Sequence, residues 1–270
     1  MSKFYLKRAA NGVWYGIFTP FSHHGVRHGI STRLGGLSRP PFASLNLGIR
    51  TDDDPAVVTH NRQLFCQAVG VDFTRVTCAQ QVHSDKILIV GEAEAGRGAT
   101  GYESAIAGTD ALITDRPGLP LMLFFADCVP VLIYDPAQKV VAVSHAGWKG
   151  TVARIAAKTV LAMGERFGTR PADCLVGIGP SIGPCDYEVD EPVIEALKDA
   201  FANWRDLVVP RGGKWLLDLW RTNSHQLEEL GVPRSHIEIS GVCTACNTTL
   251  FYSHRVEKGI TGRMGAVISL

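Results

Sequence analysis

Apolar residues recur along this chain in two rhythms, and the switches between them mark the elements. Runs at 13–18 and 26–32 are strand-sized. The second lies inside a stretch, 22–50, so rich in Gly, Pro, Ser and Asn that loop is expected around it. The rhythm then lengthens. Asp54 is a good N-cap, Pro55 suits the first helical position, and Val58, Phe65 and Val69 fall on one helical stripe before Gly70. A helix over 55–68 is predicted, stopped by that glycine. Strand signals return at 75–79 and 87–90, on either side of Gln81-Val82-His83, and a glycine- and glutamate-bearing loop fills 91–108.

Four closely spaced strands follow at 111–114, 121–125, 131–134 and 140–144. The last runs through Gly147-Trp148-Lys149-Gly150 into a helix with Thr151 as N-cap and Val152, Ile155, Thr159 and Ala162 on one face. A strand at 174–178, helices near 192–202 and 217–230, and strands at 237–240, 250–252 and 266–270 complete the chain. Strands and helices mix without strict alternation. The expected fold class is α/β (α+β): a single domain over residues 1–270, with layered mixed β-sheets flanked by helices.

Composition narrows the function. Apolar residues make up 46% and charged residues 20% of 270, enough for a substantial core. A net charge of +1 provides no field for nucleic acid or an anionic membrane, so neither is an expected partner. The N-terminal residues lack a signal-like apolar run, and the longest apolar run is strand-sized, which gives an expectation of a cytoplasmic protein; a monomer is expected, though no feature of the sequence fixes the oligomeric state. Seven cysteines, several inside apolar runs, suit reduced thiols better than a disulfide framework.

Three segments each end a strand-like run with a potential metal ligand: His83, Cys128 in Ala126-Asp127-Cys128, and His145 in Ser144-His145-Ala146. A proline, Pro130, interrupts the strand just after Cys128. Two imidazoles and a thiolate form a good zinc set with a fourth position open. Spacing alone leaves the plainer reading standing, in which Cys128 is a core thiol and the histidines satisfy backbone groups, because no local motif such as HExxH is present. The free N–H groups of the Gly147–Thr151 turn could hold an anion beside Lys149, but an ordinary strand-to-helix turn is the better reading. Cys243 and Cys246 form a CxxC without a second pair, which favours incidental thiols. Arg33 and Arg255 stand at polar loop ends where a guanidinium can take phosphate or carboxylate.

Taken together, these segments resemble the YfiH-type family, historically called multicopper polyphenol oxidase or laccase-domain proteins. The resemblance is carried by His28-Gly-Ile-Ser-Thr-Arg-Leu-Gly-Gly-Leu-Ser38, Asn46-Leu-Gly48, Gln81-Val-His83, Gly108-Thr-Asp-Ala-Leu-Ile-Thr114 and Ala126-Asp-Cys-Val-Pro-Val131. It continues through His145-Ala-Gly-Trp-Lys-Gly150, Gly179-Pro-Ser-Ile-Gly-Pro-Cys-Asp-Tyr-Glu-Val189 and Leu250-Phe-Tyr-Ser-His-Arg255. Two positions depart from the family pattern: Lys149 where arginine is common, and Asp186 where a second cysteine is common.

The resemblance implies a fold related to the catalytic domain of a bacterial deamidating toxin. It also implies a metal site at His83, Cys128 and His145, holding zinc, or copper by the older label. The implied activity is a purine nucleoside phosphorylase, acting on adenosine, inosine and methylthioadenosine with phosphate, with adenosine deamination beside it. Candidate catalytic residues are Cys128, His145 and Asp127; candidate substrate-binding residues are Arg33, Asn46, Gln81, His254 and Arg255. Two alternatives are a Cys128 amide hydrolase in peptidoglycan-precursor editing, with His145 as base, and a copper-dependent polyphenol oxidase. The last fits poorly with nine scattered histidines and no HxH pair.

Overall fold

Along Leu121–Phe125, alternate side chains take opposite sides: Leu121, Leu123 and Phe125 join one core, Met122 and Phe124 another. The period of two makes this strand a wall between two apolar layers. The same division holds for Met264–Ser269, with Ala266 and Ile268 on one side and Val267 on the other. In the computed structural model, which describes residues 3–270, both strands belong to a six-stranded sheet. Its order is Phe4–Arg8, Trp14–Phe18, Arg27–Ser31, Met264–Ser269, Leu121–Phe125 and Thr77–Cys78.

A second six-stranded sheet runs Ile237–Ile239, Leu175–Ile178, Val129–Asp135, Val140–Ala146, Ala111–Thr114 and Ile87–Ile89. The sheets face each other across Ile30, Leu121, Leu123 and Phe125 on one side and Leu112, Leu132, Val141 and Val143 on the other. Each outer face is covered by helix. Pro55–Val69 lays Phe65, Cys66 and Val69 on the first sheet, and Ile155–Phe167, Glu191–Ala200 and Leu219–Glu229 cover the second. Both sheets mix parallel and antiparallel pairs. The fold is therefore the expected α/β class with layered mixed sheets between helices.

The Pro55–Val69 helix forms for the reasons legible in its sequence. The Asp54 carboxylate accepts the Ala56 N–H at 2.8 Å, and Gly70 ends it with φ +83°. Elsewhere the structure corrects the reading. Pro130 does not interrupt its strand, which spans Val129–Asp135. The Pro130 carbonyl still accepts the Gly179 N–H at 2.9 Å, so the ladder toward Leu175–Ile178 runs past the proline short of only the one donor that Pro130 lacks. Thr151 is not a cap: a short helix, Trp148–Val152, precedes Ile155–Phe167, and Arg154 at φ +61° divides them. Residues 250–252 form no strand, because Leu250 and Phe251 N–H both turn back onto the Asn247 carbonyl. Phe251 and Tyr252 are buried by that turn. Periodicity did not reveal the edge strand Phe4–Arg8 or the small sheet of Glu188–Val189, Lys214–Leu217 and Val208–Arg211, which are short and largely exposed.

Candidate metal centre and cavity

The three predicted ligands converge where the chain passes between the sheets. Ala126–Asp127–Cys128 links Leu121–Phe125 of the first sheet to Val129–Asp135 of the second; His83 lies on the passage from Thr77–Cys78 to Ile87–Ile89. His145, near the end of Val140–Ala146, is paired across from Pro130. Their donor atoms all lie within 4.8 Å of one another, and the two imidazole rings meet edge-on at 4.8 Å. His145 is buried, Cys128 half-buried and His83 exposed, so the cluster opens on one side.

Two of these passages are bent into the left-handed region that L-residues seldom adopt, with φ +60° at His83 and +77° at Asp127. Buried carboxylates hold both in place. Asp110 accepts the N–H groups of Val82, His83 and Ser84 at 3.2, 3.0 and 2.8 Å, together with the Ser84 hydroxyl. It also meets His145 Nδ1 at 2.9 Å, which turns the other ring nitrogen toward Cys128. Asp127 accepts the hydroxyls of Thr244 and Ser253 at 2.7 and 3.1 Å and the Arg255 N–H at 2.7 Å.

The electrostatics suit a cation. Burial alone pushes the Cys128 thiol up, but the His145 and His83 imidazoles beside it outweigh burial and hold it well below an ordinary thiol. Burial acts on His145 in the opposite sense, and Cys128 and Asp110 together raise it. Asp110 pays for burial as well, yet hydrogen bonds from His145 and Ser84 hold its carboxyl down at about 2. Gly147 leaves the room: a methyl group there would stand 3.0 Å from Cys128 Sγ and 3.2 Å from His83 Cδ2. Two imidazoles, a low thiol, a carboxylate behind one imidazole and a bare backbone in front make a donor set that fits a metal ion.

A cavity of about 580 Å³ lies over the cluster. Tyr102, Phe124, Trp148 and Tyr187 supply aromatic wall; Arg50, Arg62, Arg255 and Arg263 supply guanidinium groups. Of the expected substrate residues, Gln81, His254 and Arg255 line it. Gln81 is fixed by both its amide atoms to the Phe124 backbone, at 2.8 Å each. Arg33 and Asn46 are not on its wall. The Arg33 guanidinium is taken up by the carbonyls of Ala43 and Thr248, by Glu257 and by the Tyr252 ring. The Asn46 side chain is fully buried and bonds Thr51, Asp53 and the N–H groups of Gly48 and Arg263. It shapes the wall without reaching the interior.

Sequence reasoning missed Asp110 and three of the arginines. Arg62 had left a signal. It falls between Val58 and Phe65 on the apolar stripe of its helix, where a charge needs partners, and it finds them in the carbonyls of Leu47, Gly98 and Ala99.

The family described as multi-copper polyphenol oxidoreductase laccase matches residues 27–270. A Geobacillus stearothermophilus protein named purine nucleoside phosphorylase YlmD is 41% identical over 254 residues, covering 92% of this chain and 91% of its own. A protein from an unknown prokaryotic organism, named adenosine deaminase RL5, is 36% identical over 236 residues, covering 87% of this chain and 90% of its own. The crystal structure of Bacillus licheniformis hypothetical protein YfiH superposes with a TM-score of 0.93 at 38% identity, over 98% of both chains. With residues 27–270 matched by the family and relatives above 30% identity covering most of its length, the chain belongs to the laccase-like YfiH family.

Proposed function

We propose that this chain, acting as one catalytic domain, is a zinc-dependent purine nucleoside phosphorylase that also deaminates adenosine. The observation that carries the reading is the cavity itself: four arginines and four aromatic residues line a space that also holds His83, Cys128 and His145 on its wall. Guanidinium groups suit phosphate, and flat aromatic walls suit a purine. The names borne by the relatives from G. stearothermophilus and the unknown prokaryote support the same pair of activities.

In this reading His83, Cys128 and His145 hold the ion. When bound, zinc supplies a Lewis-acid centre with one open position. The remaining work falls to the chain. With Arg62 and Arg263 committed to backbone carbonyls, Arg50 and Arg255 fix phosphate so that one of its oxygens bonds ribose C1′ as the C1′–purine bond breaks; the purine leaves and ribose 1-phosphate remains. Arg255, held at its backbone by Asp127 and at its side chain by the Glu188 carbonyl, is the best-positioned of these. Asp127 spends its carboxylate on three hydrogen bonds, so its part is positioning; His254, exposed on the wall, is the group free to move a proton. Incubating zinc-loaded protein with inosine or adenosine, with and without phosphate, tests the proposal. Phosphate-dependent ribose 1-phosphate is the expected product, and its absence rejects the phosphorylase.

One observation favours a second reading. Asp110, His145 and Cys128 stand in series like an orienting acid, a base and a nucleophile, which suits an amide hydrolase. A thiolate held by zinc is a poor free nucleophile, so the readings compete, and a covalent Cys128 adduct trapped in metal-free protein would favour the hydrolase. Copper oxidation of phenols has less support. Among the described residues only one cluster able to bind metal contains histidine.

A further inference from the structure

The CxxC at Cys243–Cys246 does not stand alone. The loop after Leu175–Ile178 carries Cys185 and Asp186 to it across about 60 residues of sequence, and the four donor atoms lie within 4.8 Å of one another. Cys185 Sγ is 3.5 Å from Cys246 Sγ. Asp186 Oδ2 accepts both the Cys246 thiol at 2.8 Å and the Cys243 thiol at 3.3 Å. The Gly183 N–H points at Cys243 Sγ from 3.2 Å. None of the four lines the cavity above His83, Cys128 and His145.

We infer that Cys185, Asp186, Cys243 and Cys246 form a second metal site, a closed structural one that takes zinc. A tetrahedral ion with zinc–sulfur bonds of about 2.3 Å sets its sulfurs roughly 3.8 Å apart, a few tenths of an ångström from the spacing of Cys185 and Cys246. Three thiolates and a carboxylate fill all four positions, leaving none for substrate, which separates this site from the His–Cys–His cluster. Thiolate donors select zinc over magnesium or calcium. A Cys185–Cys246 disulfide would use only two of the four converging donors and leave the shared carboxylate without a purpose.

The site joins two loops that build the cavity wall. Ser181 and Cys243 form a bridge: the Ser181 N–H donates to the Val242 carbonyl at 3.2 Å, and the Thr244 N–H donates to the Ser181 carbonyl at 3.0 Å. The first loop carries Ile182 and Tyr187 to the cavity; the second carries Thr244, which holds Asp127. An ion here cross-links that wall, as a disulfide would, without needing an oxidising compartment.

Elemental analysis of protein purified with zinc and a reductant tests the site. Two zinc equivalents per chain are expected for the wild type. A Cys243→Ser/Cys246→Ser variant should lose one, and a His83→Ala/His145→Ala variant should lose the other. Should the buried Cys243 prove necessary for folding, Cys185→Ser/Asp186→Ala alters exposed positions and should lose the same equivalent. Cobalt substitution adds a spectroscopic check, since most of the sulfur-to-cobalt charge-transfer absorption should vanish in either loop variant. A single equivalent in the wild type, retained by the loop variants, overturns the inference. So does a Cys185–Cys246 disulfide found by mass spectrometry under those reducing conditions. Loss of nucleoside turnover in the His83→Ala/His145→Ala variant bears on the proposed function alone.

Discussion

His145 Nδ1 lies 2.9 Å from Asp110 Oδ1, and the two are also tied through the backbone, where the His145 N–H donates to the Asp110 carbonyl at 2.7 Å. One buried carboxylate thus aims the His145 ring while its hydrogen bonds to Val82, His83 and Ser84 fold the turn that presents His83, a second proposed ligand. Two of the three proposed ligands therefore depend on Asp110, which is not one of them.

Asp110→Asn should therefore weaken metal binding out of proportion to its size change. The amide keeps one acceptor oxygen but turns an N–H₂ group toward donors that are already committed. Loss of such an outer partner typically costs about 10–100-fold in affinity, and that range is expected here. Competition against a chromophoric zinc chelator reads it, and an affinity equal to wild type would refute the role given to Asp110.

Gly147→Ala separates space from strain. Gly147 sits at φ −65° and ψ 173°, a conformation alanine adopts freely. Any effect must come from the added methyl, 3.0 Å from Cys128 Sγ and 3.2 Å from His83 Cδ2. Zinc affinity should fall at least about tenfold, a loss on the scale of removing an outer partner, while the thermal midpoint of the metal-free protein stays close to wild type. If the variant binds zinc normally, the site is looser than the distances imply.

In metal-free protein, Cys128 should alkylate as a thiolate at pH values where ordinary thiols are silent. Its proton is held loosely because His145 and His83 stabilise the anion against the cost of burial. The rate should climb with pH through a midpoint more than one unit below the roughly 8.5 of a free thiol, then level off. Zinc should suppress the reaction across the range. Peptide mapping after iodoacetamide treatment distinguishes Cys128 from the surface thiols Cys185 and Cys246. A midpoint at the ordinary value would show that the imidazoles do not act on the sulfur.

How much of this was legible in the sequence depended on whether a signal was local. The helix Pro55–Val69 was readable from its cap, its stripe and its terminal glycine, all within a few residues. Strands such as Ala111–Thr114 and Leu121–Phe125 were readable because continuous burial makes continuous apolar runs. The proposed ligands His83, Cys128 and His145 were readable as residue types, though their meeting was expected from resemblance and not from spacing, since the passages between the sheets that unite them leave no periodic trace. Asp110 looked like any acid at the mouth of a strand. Arg33 and Arg255 looked alike, yet one is consumed by Ala43, Thr248 and Glu257 and the other reaches the cavity. Pairings over 200 residues apart, such as Asn46 with Arg263, exist only once the fold has formed.

Acid should destabilise the protein through a histidine far from this chemistry in role. His28 is buried between Phe18 and Phe21, accepting the Phe18 N–H on Nε2 at 2.8 Å while Nδ1 donates to the Val26 carbonyl at 3.0 Å. One acceptor and one donor describe a neutral ring; a second proton would set N–H against N–H. Burial, with the charge of Lys7 in support, lowers its pKa to about 4. The sign follows from linkage. Between the unfolded value of 6.5 and the folded value, the unfolded chain binds a proton that the native ring refuses, so stability is full above 6.5 and falls as the pH drops toward 4. The shift corresponds to roughly 3 kcal/mol at its limit. In His28→Gln the side-chain oxygen can accept the Phe18 N–H and the amide can donate to Val26, with nothing to protonate. Urea unfolding at pH 7 and pH 4.5 should show wild type losing about 2–3 kcal/mol more than the variant over that interval. Equal losses in both proteins would mean that His28 already carries its proton in the folded state.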